Sequence, residues 1–274
     1  MTDEKILSVS WTRLRSWIEC KQKAHLQHQG IKSPSQNLKI FHKGTTVDRI
    51  LRDWLLEPHP QLGEMIGRVE EYMGLVENEY EEQESGVVRW SHATERTETI
   101  AWCKKLITKL EPIMEELVLP YKYVPDVRFR TPLFVPDLQG EPRQVDLIGA
   151  MDIQVIEGLQ LYSVYDLKAT ENDAYWKKTI MQLVFYAMAI ESMYGVMPIK
   201  TALIQPMCAQ PVMPLDISEE HVLMLVDKIT QYAHSVWMED FSPKDSDAGC
   251  DWCSVRHACV KFAKDKKSKR VSFS

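Results

Sequence analysis

No apolar run in this 274-residue chain approaches the ~20 residues that a membrane-spanning helix needs. The opening stretch, MTDEKILSVSWTRLR, has no long apolar segment either, so neither a secretory leader nor a membrane location is expected. Internal repeats, low-complexity linkers and a collagen-like period are all missing. Six cysteines are too few for a disulfide-dense mini-protein of this length. What is present is 45% hydrophobic and 26% charged residues, which excludes a disordered chain and provides for a sizeable core. The expected setting is the reducing cytoplasm, where the cysteines serve as thiols or metal ligands.

A net charge of −6 argues weakly against a nucleic-acid partner, but its distribution changes that reading. Residues 57–84 hold nine Glu and one Arg, a net of −8, so the rest of the chain nets +2. Residues 1–56 carry ten Lys/Arg against five Asp/Glu, and residues 260–274 carry six against Asp265 alone. A basic surface with one acidic excursion is compatible with an anionic partner.

Apolar residues at helical spacing predict helices over 8–28 with Ser10 as N-cap, over 45–56, over 62–84 and over 94–118, the last interrupted or kinked at Pro112. After Pro120 the pattern changes. Residues 127–135 read as a strand, 144–156 alternate, and 159–167 run back after Gly158 as a hairpin. A strongly apolar helix over 173–194 follows, then a short strand over 201–205 and a helix from Ser218 to about Trp237. The order implies an α/β or α+β chain with an αβββαβ core. Its expected divisions are a helical region over 1–120, a core over 121–244, and a cysteine-bearing segment with a basic tail over 245–274.

Alternation along a strand projects Asp166 and Lys168 to the same face. If the hairpin sets Asp152 opposite them, two carboxylates and an ammonium meet. A Mg²⁺ ion takes one or two such carboxylates, and the carbonyl of Leu167 is a further candidate ligand. An isolated Asp-x-Lys can equally be a surface salt bridge. In the next helix Gln182 and Tyr186 lie four apart on one face, the polar members of an apolar helix.

Gly149-Ala-Met-Asp152, Asp166-Leu-Lys168 and Gln182-x-x-x-Tyr186 resemble, in this order, the core motifs of the PD-(D/E)XK nucleases, RecB-like branch. The resemblance implies the αβββαβ nuclease core and a catalytic set of Asp152, Asp166, Lys168, Gln182 and Tyr186. It also implies Mg²⁺ or Mn²⁺ at Asp152, Asp166 and the Leu167 carbonyl. An earlier motif of the branch, Gly-x-x-x-His, is matched by Gly44-Thr-Thr-Val-Asp48, so Asp48 stands where the branch has a metal-ligating His. A hard cation accepts that oxygen donor.

Cys250-Asp-Trp-Cys253-Ser-Val-Arg-His-Ala-Cys259 clusters three cysteines, with Cys20 far away. Four thiolates suit a [4Fe-4S] cluster, and zinc is the rival, with His257 as an alternative ligand. One distant Cys plus Cys-x2-Cys-x5-Cys resembles the iron–sulfur RecB-like nucleases, which include CRISPR-associated exonucleases and AddB-type subunits. In that resemblance Cys20, Cys250, Cys253 and Cys259 hold the cluster, and it staples the chain ends around the core. Cys103 and Cys208 match no motif position and read as ordinary buried thiols.

The resemblance implies a metal-dependent DNA exonuclease acting in recombination, repair or spacer acquisition, of a kind that belongs to a phage or a CRISPR locus. Its expected partners are single-stranded DNA or duplex ends, a helicase, recombinase or integrase, and a second copy of itself. Thr170 and the Trp176-Lys177-Lys178 patch are candidate DNA contacts. The alternative is a nuclease-fold module that grips DNA or a helicase without cutting.

Overall fold

In a computed structural model the described residues are 6–31, 39–56, 62–82, 88–92, 94–158, 160–174, 179–247 and 249–262. In chain order the elements are β1 (Leu7–Val9), α1 (Trp11–Glu19), α2 (Lys21–His28), α3 (Lys39–Leu56), α4 (Leu62–Gly67), α5 (Val69–Glu82) and α6 (Glu95–Leu117). Then come β2 (Lys122–Pro136), β3 (Pro142–Glu157), β4 (Leu161–Leu167), α7 (Ile180–Tyr194), β5 (Lys200–Ile204), β6 (Val212–Pro214) and α8 (Glu219–Trp237). The fold is mixed α/β, and no helix among the described residues is long and apolar enough to cross a membrane.

The chain divides into two compact units. The first gathers residues 1–36, 130–149 and 222–274, and the second 37–129 and 150–221. The long strands β2 and β3 each contribute to both.

In the first unit, β1 runs parallel to the opening half of β3, with Leu7 beside Val145 and Val9 beside Leu147. Ser10 caps α1 by accepting the Arg13 N–H, as its residue type foretells. The helix expected over 8–28 is, however, broken. Ser8 lies in β1, and Cys20 takes an extended backbone between α1 and α2. No Gly or Pro lies between residues 11 and 28, so the break has no local sequence signal.

In the second unit, β3 pairs antiparallel with β4, β4 parallel with β5, and β5 antiparallel with β6. The result is a mixed sheet. Its inward residues Ile153, Val155, Tyr165 and Ile204 join one core with Ile50 and Trp54 of α3, Met73 of α5 and Leu106 and Leu110 of α6. Each such buried aliphatic side chain contributes roughly 1.5–3 kcal/mol. Helix α7 is buried from Leu183 through Ile190, which explains its nearly unbroken apolar run. Gly195 closes it at φ 74°, a left-handed position suited to glycine.

Other expectations are corrected in detail. The acidic helix is two helices, α4 and α5, separated at Arg68. Helix α6 continues through Pro112, which sits on its exposed side. The helix predicted from 173 begins at Ile180. Strand β6 was not foreseen, because three residues carry too little alternation to register.

The acid content of α5 has a structural use. Arg96 of α6 donates to Glu70 at 3.0 Å and to Glu77 at 3.2 Å, and Arg49 of α3 donates to Glu79 at 2.8 Å.

Candidate active site

The β3–β4 register carries Ile153 opposite Tyr165, so one further step sets Asp152 opposite Asp166. Asp152 Oδ2 accepts the Leu167 N–H at 2.8 Å, which anchors it across the strand pair. Lys168 N–H in turn donates to Ile204 O at 2.8 Å, fixing the strand end against β5. Lys168 Nζ lies 2.6 Å from Asp166 Oδ2. Asp166 is fully buried, and among the described residues neither of its oxygens has a well-aligned hydrogen bond. A buried carboxylate left so is costly unless a cation completes its surroundings.

Electrostatics couple the group. Burial raises both Asp166 and Asp152 above the ordinary carboxylate value. For Lys168, burial would lower the ammonium, but the Asp166 and Asp152 charges outweigh it and hold it firmly protonated. Tyr186 Oη accepts from Gln182 Nε2 at 2.7 Å. Burial, then the charges of Asp166 and Asp152, raise its phenol, so it stays a neutral donor. The polar pair on α7 therefore faces the carboxylates electrostatically.

Asp48 opens into a cavity of about 360 Å³ that Asp152 also lines. Protein atoms packed around it, then the Asp152 charge, push its carboxyl up to about 7. His42, the nearest imidazole in sequence, is fully buried and hydrogen-bonds Met73 O through Nε2 at 3.2 Å. Burial lowers its pKa, so it is a neutral packing residue.

Asp126 was missed by sequence reasoning. It lines the same cavity, and its charge raises Asp152. Its φ of 49° is left-handed for a non-glycine residue within β2, a strained backbone of the kind kept at functional sites. Arg49, Arg52 and Arg128 line the cavity too, and the first two are legible as the turn of α3 following Asp48. Thr170 Oγ1 accepts the Asn172 N–H at 3.1 Å, so it shapes the turn after β4. Trp176, Lys177 and Lys178 lie outside the described residues.

The donor set suits a hard divalent cation. It offers oxygens only, from two buried or half-buried carboxylates and an accessible third, with the Leu167 carbonyl at the strand end.

In the first unit, Cys20, Cys250, Cys253 and Cys259 line one cavity of about 350 Å³ with Gln22, Leu26 and Val255. Two short 3₁₀ turns, Cys250–Trp252 and Arg256–Ala258, present the last three cysteines. Cys259 Sγ donates to Gln22 Oε1 at 3.0 Å. Among the described residues no three His, Cys, Asp or Glu side chains are grouped tightly enough to hold a single ion. His257 is exposed and is not among the residues lining the cavity. Cys103 and Cys208 are buried, and burial pushes the Cys103 thiol up to about 12.

The mixed sheet thus sets Asp152 from within β3 beside Asp166 near the end of β4, with Lys168 just past it, a donor set of the kind metal-dependent nucleases use. The family model of the PD-(D/E)XK nuclease superfamily matches residues 8–260, and the chain belongs to that superfamily. Its nucleases use divalent cations such as Mg²⁺ or Mn²⁺. No curated protein matches the chain. Among solved structures it is similar to a protein of Eubacterium rectale named "Putative exonuclease", at 12% identity and TM-score 0.53, over 92% of this chain and 88% of that one. It also matches SSO0001 at 15% identity, over 79% of this chain and 94% of that one, with a TM-score of only 0.37.

Proposed function

We propose that the protein hydrolyses phosphodiester bonds of DNA from strand ends, using Asp152, Asp166 and Lys168 with Mg²⁺ or Mn²⁺. The observation that carries this reading is the buried, hydrogen-bond-poor Asp166 beside Asp152 and a firmly protonated Lys168. Asp152, Asp166 and the Leu167 carbonyl, with Asp48 beside them, would hold the divalent cation, which would supply charge stabilisation and a more acidic water. Lys168, paired with Asp166, either stabilises charge on the pentacoordinate phosphorus or positions the attacking water, the choice depending on how far the cation offsets the carboxylates around it. Gln182 orients the Tyr186 hydroxyl, whose proton is left to donate toward the attacking water or a phosphate oxygen. Asp152 is held in place by the Leu167 N–H, so its position does not depend on the cation.

The four cavity-lining cysteines are the proposed ligands of a [4Fe-4S] cluster. The room of about 350 Å³ exceeds what a single zinc ion bound by four donors at about 2.0–2.3 Å requires. Cationic side chains on the wall, Lys23, Lys244, Arg256 and Lys261, suit the negative charge of a thiolate-bound cluster. The family resemblance of the spacing extends the reading to cytoplasmic work in recombination, repair or spacer acquisition, beside a helicase, recombinase or integrase and in a bacterial or phage setting.

The test is digestion of end-labelled single- and double-stranded DNA by anaerobically purified protein with Mg²⁺ or Mn²⁺. Release of terminal nucleotides by wild type and not by Asp166→Asn is expected. DNA binding without cleavage under either metal would overturn the reading in favour of a non-cutting module.

A further inference from the structure

The largest cavity described in the first unit is a groove of about 460 Å³, separate in its lining from the cysteine cavity. Four cations, Arg13, Lys21, Arg130 and Arg143, line it, and no Asp or Glu is among its lining residues. Two of these cations are already paired with carboxylates that do not line the groove. Asp146 is 3.4 Å from Arg130, itself 67% exposed at its side chain, and Asp240 pairs with Lys21. By sequence the unit carries seventeen Lys/Arg against thirteen Asp/Glu, but its described residues carry ten of each, so the cationic character is a property of the groove lining and not of the whole unit.

Aromatic rings are interleaved with these cations. The Arg143 guanidinium lies 4.4 Å from the centre of the Trp237 ring, and His25 stacks on Phe241 at 3.9 Å and 15°. All four of these residues line the groove. Trp17, 8% exposed and also on the wall, has an indole N–H with no hydrogen-bond partner among the described residues.

From this juxtaposition we infer that the groove binds single-stranded nucleic acid, its phosphates on Arg13, Lys21, Arg130 and Arg143 and a base against the Trp237 or Phe241 face. Cations tracking a backbone, with aromatic platforms between them, are the two elements such binding needs. A duplex keeps its base faces stacked internally and offers the rings nothing. The choice of ligand rests on the proposed nuclease activity, but the groove shares no residue with the carboxylate site.

Fluorescence anisotropy of a labelled dT20 oligonucleotide, in EDTA so that nothing is cut, tests the inference. Arg13→Gln with Arg143→Gln should weaken binding about tenfold or more and lower the salt slope by about 1.4. Arg13→Lys with Arg143→Lys should keep most of the affinity, since a phosphate accepts either point charge. Trp237→Ala should weaken binding about fivefold or more, and Trp237→Phe should not. Asp166→Asn, which abolishes the proposed cleavage, should bind dT20 like wild type, so the groove and the nuclease reading fail independently. Wild-type binding by the Gln pair, equal loss in the Lys pair, no binding of dT20 by wild type, or displacement of dT20 by polyglutamate at equal charge would each overturn it.

Discussion

The two compact units place their polar chemistry in opposite surroundings. The second nets −10 by sequence, yet its carboxylates are split between two jobs. Those of α5 are surface acids that pair with Arg96 and Arg49, while Asp166 is enclosed between Lys168 and the Asp152 carboxylate. The first unit nets +4 and keeps its functional candidates, four thiols and a row of cations, on the walls of open cavities. Charge totals therefore say little about either site. A single desolvated carboxylate has a field that nine solvated glutamates do not.

The sharpest way to test that contrast is in the enclosed site. Asp166→Ala and Lys168→Ala should each slow DNA cleavage by at least about 100-fold, with far-UV circular dichroism unchanged. Each removes charge stabilisation and little packing. Undiminished digestion by both variants would remove the site from the second unit altogether.

Next in size is the cysteine cavity. Cys20→Ala should cut iron per chain to below about half and lower Tm by about 5 °C or more, because the cluster would tie together segments 230 residues apart. Cys103→Ala and Cys208→Ala should leave iron content and visible absorbance unchanged. A full cluster in Cys20→Ala would reassign the fourth ligand, and the α1–α2 break would lose its chemical purpose.

A smaller effect concerns Asp48. Surrounding protein atoms and the Asp152 charge push its carboxyl from an ordinary 3.8 up to about 7, although the residue itself reaches solvent. Between those values the folded state holds a proton that the unfolded state lacks, so metal-free stability falls as pH rises through that window. Asp48→Asn should accordingly raise Tm in EDTA by about 2–4 °C at pH 8 and give no gain at pH 4. An equal gain at both pH values would show that charge is not the cause.

The smallest expected change is on the acidic helices. Glu64→Gln and Glu81→Gln, both exposed, should leave DNA affinity within about threefold of wild type or raise it. Loss of binding would mean that the anionic surface, not the cationic groove, faces the substrate.

Much of the second unit was legible from residue order. Asp166 and Lys168 share a strand face because strands repeat every two residues, and Gln182 meets Tyr186 because helices repeat every 3.6. Local periodicity is enough for such pairs, since the geometry that joins them is a few residues long. The same rule located the α3 face and the cap at Ser10. Other features depend on distant partners and leave no local trace. The break at Cys20 occurs without Gly or Pro, Asp126 lies near Asp152 through strand packing, and the cationic groove brings Arg13 to Arg130 and Arg143, which lie more than 100 residues further along the chain. Burial of Asp166 belongs with them. Its residue type speaks for exposure, and only the sheet and helices closed around it raise its pKa and leave its oxygens in want of a cation.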